Sequence, residues 1–137
     1  MRHWLLKTEP GIYSYADLER DGKTCWNGVR NFQARNSIAE MRPGDRVLVY
    51  HSGDERRVEG VARISGAPYP DPDPKKKGDW LQVDLEPVRR LKNPVTLAEM
   101  KSAAALRDLP LFKQSRLSVV PVTDSHFEAV LRLGGGK

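Results

Sequence analysis

The sequence predicts a small α+β domain in which about five short strands close into a barrel with short helices at its sides. Three observations support this fold class. The chain has 137 residues, which is the length of one domain. Apolar segments of strand length alternate with short helical segments that begin at capping residues. Strand-like segments occur at both ends of the chain and in a central hairpin, so the terminal strands are expected to surround that hairpin.

The N-terminal elements are a buried strand over His3–Thr8 and a short helix that follows it. Ser14 can cap this helix, with Asp17 as the returning partner of a capping box. Gly22 can supply the left-handed residue that ends the helix. The segment from Lys23 to Arg30 is predicted to be a loop.

The middle of the chain predicts a helix over Phe32–Met41 and then a β-hairpin. The first strand of the hairpin, Arg46–His51, consists mostly of valine, leucine and tyrosine, so we expect it to be covered on both faces. The second strand covers Val58–Ile64, and Gly60 within it indicates a bulge or the close approach of another group. The proline-rich segment Ala67–Lys77 is expected to lack regular structure.

The C-terminal part begins with a strand over Trp80–Val88, in which apolar and polar residues alternate. This alternation predicts a half-exposed strand that runs antiparallel to the strand before it. The remaining elements are each marked by a capping residue or an apolar run: a helix through about Ala105 with the capping box Thr96 and Glu99, a short strand over Arg116–Val120, and a helix over Asp124–Leu133 capped by Thr123.

Composition narrows the class of protein. Lysine and arginine number 23 against 18 aspartate and glutamate, so the net charge is +5 and nucleic acid is the favoured partner. The mean hydropathy of −0.59 predicts no membrane span. With no export signal and one cysteine, the expected location is the cytoplasm. A single domain is expected over residues 1–133, followed by a flexible tail over 134–137.

The usual catalytic and metal motifs do not occur in the sequence. Cys25 is interpreted as an inert thiol, because a free cysteine usually behaves as a small apolar residue. The three histidines are far apart in the sequence and lack ligand spacing. We therefore predict a protein that is not an enzyme and that has neither a metal nor a cofactor.

Aromatic and polar residues at loops and strand ends are the candidates for binding. Trp26, in a polar loop, is either a plug over the core or a surface on which a ligand stacks. His51 and Ser52 follow the end of the best strand and can line a pocket, whereas Tyr50 fits the core by its pattern. Tyr69, held between two prolines, suits a loop anchor or a pocket wall. The basic pairs and triplets along the chain are either solvated surface or phosphate contacts.

Several segments, taken in order, resemble the EVE domain. They are Trp4–Pro10, Cys25–Asn36, Val49–Ser52, Ala67–Asp71 and Ser115–Val119. The block from Trp26 to Asn36 (WNGVRNFQARN) is long enough to be highly specific. The domain occurs in the thymocyte nuclear protein family and in stand-alone bacterial proteins, and this compact chain is more similar to the bacterial type.

The resemblance implies a PUA-like pseudobarrel of about five to six mostly antiparallel strands flanked by short helices, related to the YTH domain. It also implies a reader that accepts a modified base, with modified cytosine in DNA as the expected ligand. The pocket residues it implies are Lys7, Thr8, Trp26, Asn27, Tyr50, His51, Ser52 and Tyr69, with Trp80 as the alternative to Tyr69. The phosphate contacts it implies are Arg30, Arg35, Lys75, Lys76, Lys77 and Arg116.

Two departures from the family pattern bear on the ligand. Thr8 stands where serine is commoner, which keeps the hydroxyl and adds a methyl group that narrows the pocket. The loop over Asp71–Asp79 is shorter than in many relatives, so the residue that forms the third wall stays open. Two other functions also stay open, a module that recognises modified RNA and a sensor of a small molecule or nucleoside. Any downstream activity would need a partner protein.

Overall fold

A computed structural model describes residues 2–26, 32–71, 80–113 and 118–135 of the chain. In these residues the elements follow in this order: β1 (His3–Thr8), α1 (Tyr15–Asp21), β2 (Thr24–Trp26), α2 (Phe32–Ala39), β3 (Arg46–His51), β4 (Arg57–Ile64), β5 (Tyr69–Pro70), β6 (Leu81–Thr96), α3 (Leu97–Ser102), the 3₁₀ turns Ala104–Leu106 and Pro110–Phe112, β7 (Val119–Val122) and α4 (Asp124–Leu133).

The strands form one curled mixed sheet, a half-barrel, in agreement with the α+β barrel that the sequence predicted. Its order is β2-β6-β4-β3-β1-β7, and β5 pairs with the start of β6. β1 and β3 run parallel, and the other pairings are antiparallel. Since parallel strands end at the same edge, Thr8 at the end of β1 lies beside His51 at the end of β3.

The predicted helix caps are confirmed. The Ser14 hydroxyl accepts from the Asp17 amide, and the Asp17 carboxylate accepts from the Ser14 amide, so both halves of the first capping box are made. Thr96 and Glu99 make the second capping box at α3. Thr123 caps α4, which has the predicted bounds. These side chains satisfy amide groups that the first turn of a helix leaves unpaired.

The strand predictions need three corrections. β6 continues to Thr96, well beyond the predicted end at Val88, because bulges allow its pairing with β4 to continue. Pro94 is tolerated because it lies in the unpaired stretch between Arg90 and Val95. β2 and β5 lie in segments predicted to be irregular, since strands of three and two residues are too short to show alternation. β7 begins at Val119 rather than at Arg116, and residues 114–117 lie outside the described part of the chain.

Gly60 confirms the expected close approach. β4 has a register shift between Val58 and Gly60. A Cβ added at Gly60 would lie 2.6 Å from the ring of Tyr15 and 2.9 Å from the carbonyl oxygen of Arg89. The absent side chain therefore lets α1 pack directly against the bulged pair of β4 and β6.

The core lies between the sheet and the helices that cover it. Trp4 is buried and its indole Nε1 donates to Asp45 at 3.0 Å, which satisfies the polar end of the ring. Trp80, which directly precedes β6, is also buried. After α4, the amide of Asn93 donates to the carbonyl oxygen of Gly134 at 3.1 Å. Among the described helices none is long and apolar enough to cross a membrane.

Candidate nucleic-acid interface

The candidate site lies at the edge of the sheet where β1 and β3 end. The Ser52 amide donates to the carbonyl oxygen of Thr8 at 2.9 Å, so the two strand ends are tied together. The Thr8 hydroxyl donates to the carbonyl oxygen of Tyr13 at 2.6 Å and fixes the loop that follows β1. These bonds hold the rim of the site in one geometry.

Two cavities flank the end of β1. Lys7 and Thr8 are consecutive residues of an extended strand, so their side chains leave on opposite faces. One cavity, here called the aromatic cavity, has a volume of about 270 Å³ and is lined by Thr8, Ile12, Tyr13, Thr24, Cys25 and Trp26. The other, here called the basic cavity, has a volume of about 300 Å³ and is lined by Lys7, Tyr50, Ser52, Gly53, Arg56, Leu97, Lys101, Leu111 and Phe112.

The aromatic cavity offers a surface for stacking. Trp26 is half-buried, because part of it packs against the core. Its backbone pairs with Val83 of β6, which fixes the position of β2. Tyr13 is also half-buried, with its hydroxyl donating to Asp21 at 2.8 Å. Ile12 is 82% exposed beside these rings. Apolar surface of this kind is what a planar ligand would cover.

The predicted pocket residues are divided between these two cavities. Lys7, Tyr50 and Ser52 line the basic cavity. Thr8 and Trp26 line the aromatic cavity. Tyr50 is also buried, in agreement with its pattern. The sequence therefore predicted residues that lie at one rim, but it did not show that they line cavities on opposite faces of β1.

His51 lies in the interior behind the rim. The Tyr15 amide donates to His51 Nε2 at 3.0 Å, which places the ring proton on Nδ1. His51 Nδ1 then donates to Glu55 at 2.8 Å, and this hydrogen bond lowers the pKa of the Glu55 carboxyl. With both nitrogens engaged, His51 connects α1 to the β3–β4 hairpin.

His51, Glu55 and Glu59 present ligand atoms within 4.8 Å of one another, which is a spacing that a metal ion could use. The hydrogen bonding disfavours this use. The Nδ1 lone pair that a metal would need is replaced by the proton donated to Glu55. Glu59 is paired with Arg57 at 2.8 Å and with Arg90 at 3.6 Å. The arrangement fits an ion-pair network that orders the hairpin.

Tyr69 projects from the opposite face of β6. Tyr69 pairs with Gln82, whereas Trp26 pairs with Val83, and neighbouring residues of a strand face opposite ways. The Tyr69 hydroxyl donates to Asp84 at 2.8 Å and lies 3.3 Å from Cys25 Sγ. The contacts with Cys25 and with Asp84 both raise the pKa of Tyr69. Tyr69 and Trp80 are absent from the walls of both cavities as far as described residues form them.

Cys25 is half-buried, with its thiol 2.8 Å from the amide oxygen of Gln82. The predicted phosphate contact Arg35 lies on α2, where its guanidinium donates to Asn36 at 3.1 Å. The other predicted residues, Asn27, Arg30, Lys75, Lys76, Lys77 and Arg116, lie outside the described residues, and their roles stay predictions.

Sequence reasoning missed most of the basic cavity. Arg56 follows the β3–β4 turn, Lys101 lies on α3, and Phe112 lies in a 3₁₀ turn. These segments are far apart in the chain, so no spacing predicts that they meet. The one available signal in the sequence was the basic pair Arg56 and Arg57. Arg56 lines the cavity, whereas Arg57 forms ion pairs with Glu55 and Glu59.

Comparison with known proteins places this architecture in a class and then in a family. A YTH domain from Zygosaccharomyces rouxii, solved with N6-methyladenosine RNA, has the same fold with a TM-score of 0.62 at 14% identity, covering 97% of this chain and 86% of that one. The EVE domain model matches residues 2–133. The chain therefore belongs to the EVE domain family.

Relatives in this family extend over almost the whole chain. Human thymocyte nuclear protein 1 is 37% identical over 164 aligned positions, covering 96% of this chain and 73% of the human protein. The crystal structure of that human protein with DNA containing 5-methylcytosine has a TM-score of 0.90 at 35% identity, covering 100% of this chain and 99% of that one. Rpa0253 from Rhodopseudomonas palustris has a TM-score of 0.92 at 39% identity, covering 98% and 94%.

Proposed function

We propose that this protein is a non-enzymatic reader that binds a modified base, modified cytosine in DNA, in the aromatic cavity. The observation that carries the proposal is the half-exposed Trp26 in a cavity at the end of β1, in a chain that matches the human protein solved with 5-methylcytosine DNA over its whole length. Trp26 is the surface on which the base stacks, and Thr8 and Tyr13 line the same cavity.

The binding step requires one base to leave the helix. Extrusion costs a few kcal/mol, and less for a base that is already unpaired. Stacking on an aromatic side chain returns about 1–3 kcal/mol per base. A methyl group that displaces water from an apolar wall contributes roughly 0.8 kcal/mol more, which is enough for a several-fold preference over cytosine. Ile12 and Trp26 supply apolar wall of this kind.

The test is a set of titrations with matched DNA strands that carry cytosine, 5-methylcytosine or 5-hydroxymethylcytosine at one position. We expect tighter binding of a modified strand. Trp26→Ala should remove the preference, and Trp26→Phe should keep part of it, because the smaller ring still stacks. Val88→Ala is the matched control, since Val88 is an exposed apolar residue on β6 that lines neither cavity.

Equal binding of all three strands, unchanged by Trp26→Ala, would contradict the proposal. RNA strands of the same sequence test the alternative partner, since a module for modified RNA would discriminate by the 2′-hydroxyl. A sensor of free nucleosides would bind the modified nucleoside as tightly as the strand. It would also show no dependence on salt, because it would use no phosphate contacts.

A further inference from the structure

We propose that the basic cavity is a second nucleic-acid subsite, which binds the backbone phosphate of a nucleotide adjacent to the base in the aromatic cavity. The inference rests on the proposed function for the identity of the base. It assigns a binding role to Lys101 and to Arg56, which belongs to one of the basic pairs that the sequence left open as solvated surface or phosphate contacts. The anion that the cavity would recognise is one phosphodiester group.

Arg56 and Lys101 bring positive charge to the basic cavity. Arg57, Arg63 and Arg90 each pair with a glutamate at 3.6 Å or less. Arg56 and Lys101, by contrast, form no ion pair with any carboxylate in the part of the chain that the structure describes. Both side chains are exposed and line the same cavity. Cations left unpaired beside a concave surface are suited to an anionic ligand.

Lys7 adds a third cation to the lining of this cavity. Burial lowers the pKa of the Lys7 ammonium group, because desolvation disfavours its charged form. An anion beside Lys7 would stabilise that charged form. A phosphate in this cavity would therefore raise the pKa of Lys7 and pair with an ammonium group that is already partly desolvated.

Arg56 has a backbone conformation that is rare for a residue with a side chain. Its φ of 46° makes it the one non-glycine residue with positive φ among the described residues. The carbonyl oxygen of Arg56 accepts from the Leu97 amide at 2.8 Å, which attaches the β3–β4 hairpin to the start of α3. This bond holds Arg56 in the left-handed region next to the helix that carries Lys101. Strained backbone of this kind is found at ligand-binding positions, where surrounding contacts maintain it.

Apolar side chains form the floor of the basic cavity. Leu111 is buried, Phe112 is half-buried, and Leu97 borders them. An apolar floor suits the sugar that accompanies a phosphate, and it strengthens the charge interactions above it by excluding water. Glu9 limits the number of phosphates that the cavity can hold, because its carboxylate packs against Gly53. A Cβ added at Gly53 would lie 2.8 Å from Glu9 Oε1. A second phosphate would meet this negative charge.

The two cavities adjoin neighbouring residues of β1. Lys7 lines the basic cavity and Thr8 lines the aromatic cavity. Consecutive Cα atoms are about 3.8 Å apart, so the two cavities adjoin the same strand end, one on each face of β1. A nucleotide whose base enters the aromatic cavity can therefore place a neighbouring phosphate in the basic cavity.

The experiment measures binding of single-stranded DNA with and without 5-methylcytosine at several NaCl concentrations. The variants are Lys101→Gln and the double variant Arg56→Gln/Lys101→Gln. Arg63→Gln is the control, because Arg63 is exposed but pairs with Glu86 outside the cavity. We expect Lys101→Gln to lower the slope of log affinity against log salt by about one, and the double variant to lower it by about two.

Affinity should fall about tenfold for each cation removed, equally for methylated and unmethylated strands, so that their ratio is kept. Lys101→Gln, an exposed substitution on a helix, keeps the test decisive if the double variant folds poorly. A slope and affinity that match those of Arg63→Gln would overturn the inference. If the wild type shows no methyl preference but the slope still falls, the reader proposal fails and the phosphate subsite stands.

A second readout uses 5-methyl-2′-deoxycytidine and its 5′- and 3′-monophosphates. One of the two phosphates should increase affinity over the nucleoside in the wild type, and this increase should disappear in the double variant. The phosphate that does so gives the direction in which the strand crosses the rim. Equal affinity of all three ligands would contradict a phosphate subsite next to the base.

Discussion

Asp45 shows how a single buried carboxylate organises the start of the chain. Its two oxygens accept from the Arg2 amide at 3.0 Å, the Trp4 indole at 3.0 Å and the Arg42 amide at 3.1 Å. Burial by itself raises the pKa of Asp45, but these hydrogen bonds outweigh it, and the net effect lowers the pKa. The charged form is therefore the one that holds β1 beside the turn before β3.

The Asp45→Asn variant should lose stability at neutral pH. Replacing a charged acceptor of three hydrogen bonds should lower the free energy of unfolding by about 1–3 kcal/mol. Because the folded pKa of Asp45 is lowered, its contribution to stability is present above the unfolded pKa of about 3.9 and is lost as the pH falls through the folded pKa. Urea unfolding at pH 7 and pH 3 checks this. A difference from wild type that is the same at both values would contradict the assignment.

At the scale of elements, the contact between α1 and β4 depends on a missing side chain. Gly60 lets the Tyr15 ring lie against the strand, and the Tyr15 hydroxyl donates to the Val61 carbonyl oxygen at 2.8 Å. This burial raises the pKa of Tyr15 to about 12. Helix and strand are thus joined by one aromatic side chain that has no room to move.

Gly60→Ala should destabilise the protein by about 1–3 kcal/mol, because the added methyl meets both a buried ring and a backbone oxygen. Gly66→Ala is the matched control, since a Cβ there meets nothing within 4 Å. Chemical denaturation of both variants measures the difference. Equal stability of the two would show that α1 can move away from the strand.

The elements that were predictable are those with local signals. The capping boxes at Ser14 and Thr96 determine where helices begin, and the apolar run of β3 determines a central strand. The extension of β6 to Thr96 was not predictable, because it depends on bulges opposite Gly60, which are set by pairing between distant segments. β2 and β5 are formed by the same tertiary pairing.

At the scale of the whole molecule, the parallel pairing of β1 with β3 creates the site. It brings Thr8 and Ser52 to one rim and places a cavity on each side of the end of β1. The sequence could nominate Lys7, Thr8 and Trp26, since the resemblance concerns those segments. It could not separate the two faces or bring in Arg56 and Lys101, because that requires the curvature of the sheet and the position of α3.

The central claim is that a modified base stacks on Trp26, and NMR of the indole N–H groups tests it most directly. The protein has three tryptophans, and Trp4 and Trp80 are 1% and 9% exposed. On titration with a single DNA strand, the Trp26 signal should shift more with 5-methylcytosine than with cytosine, while the Trp4 and Trp80 signals stay in place. An unmoved Trp26 signal, with backbone amides shifting equally for both strands, would contradict the account.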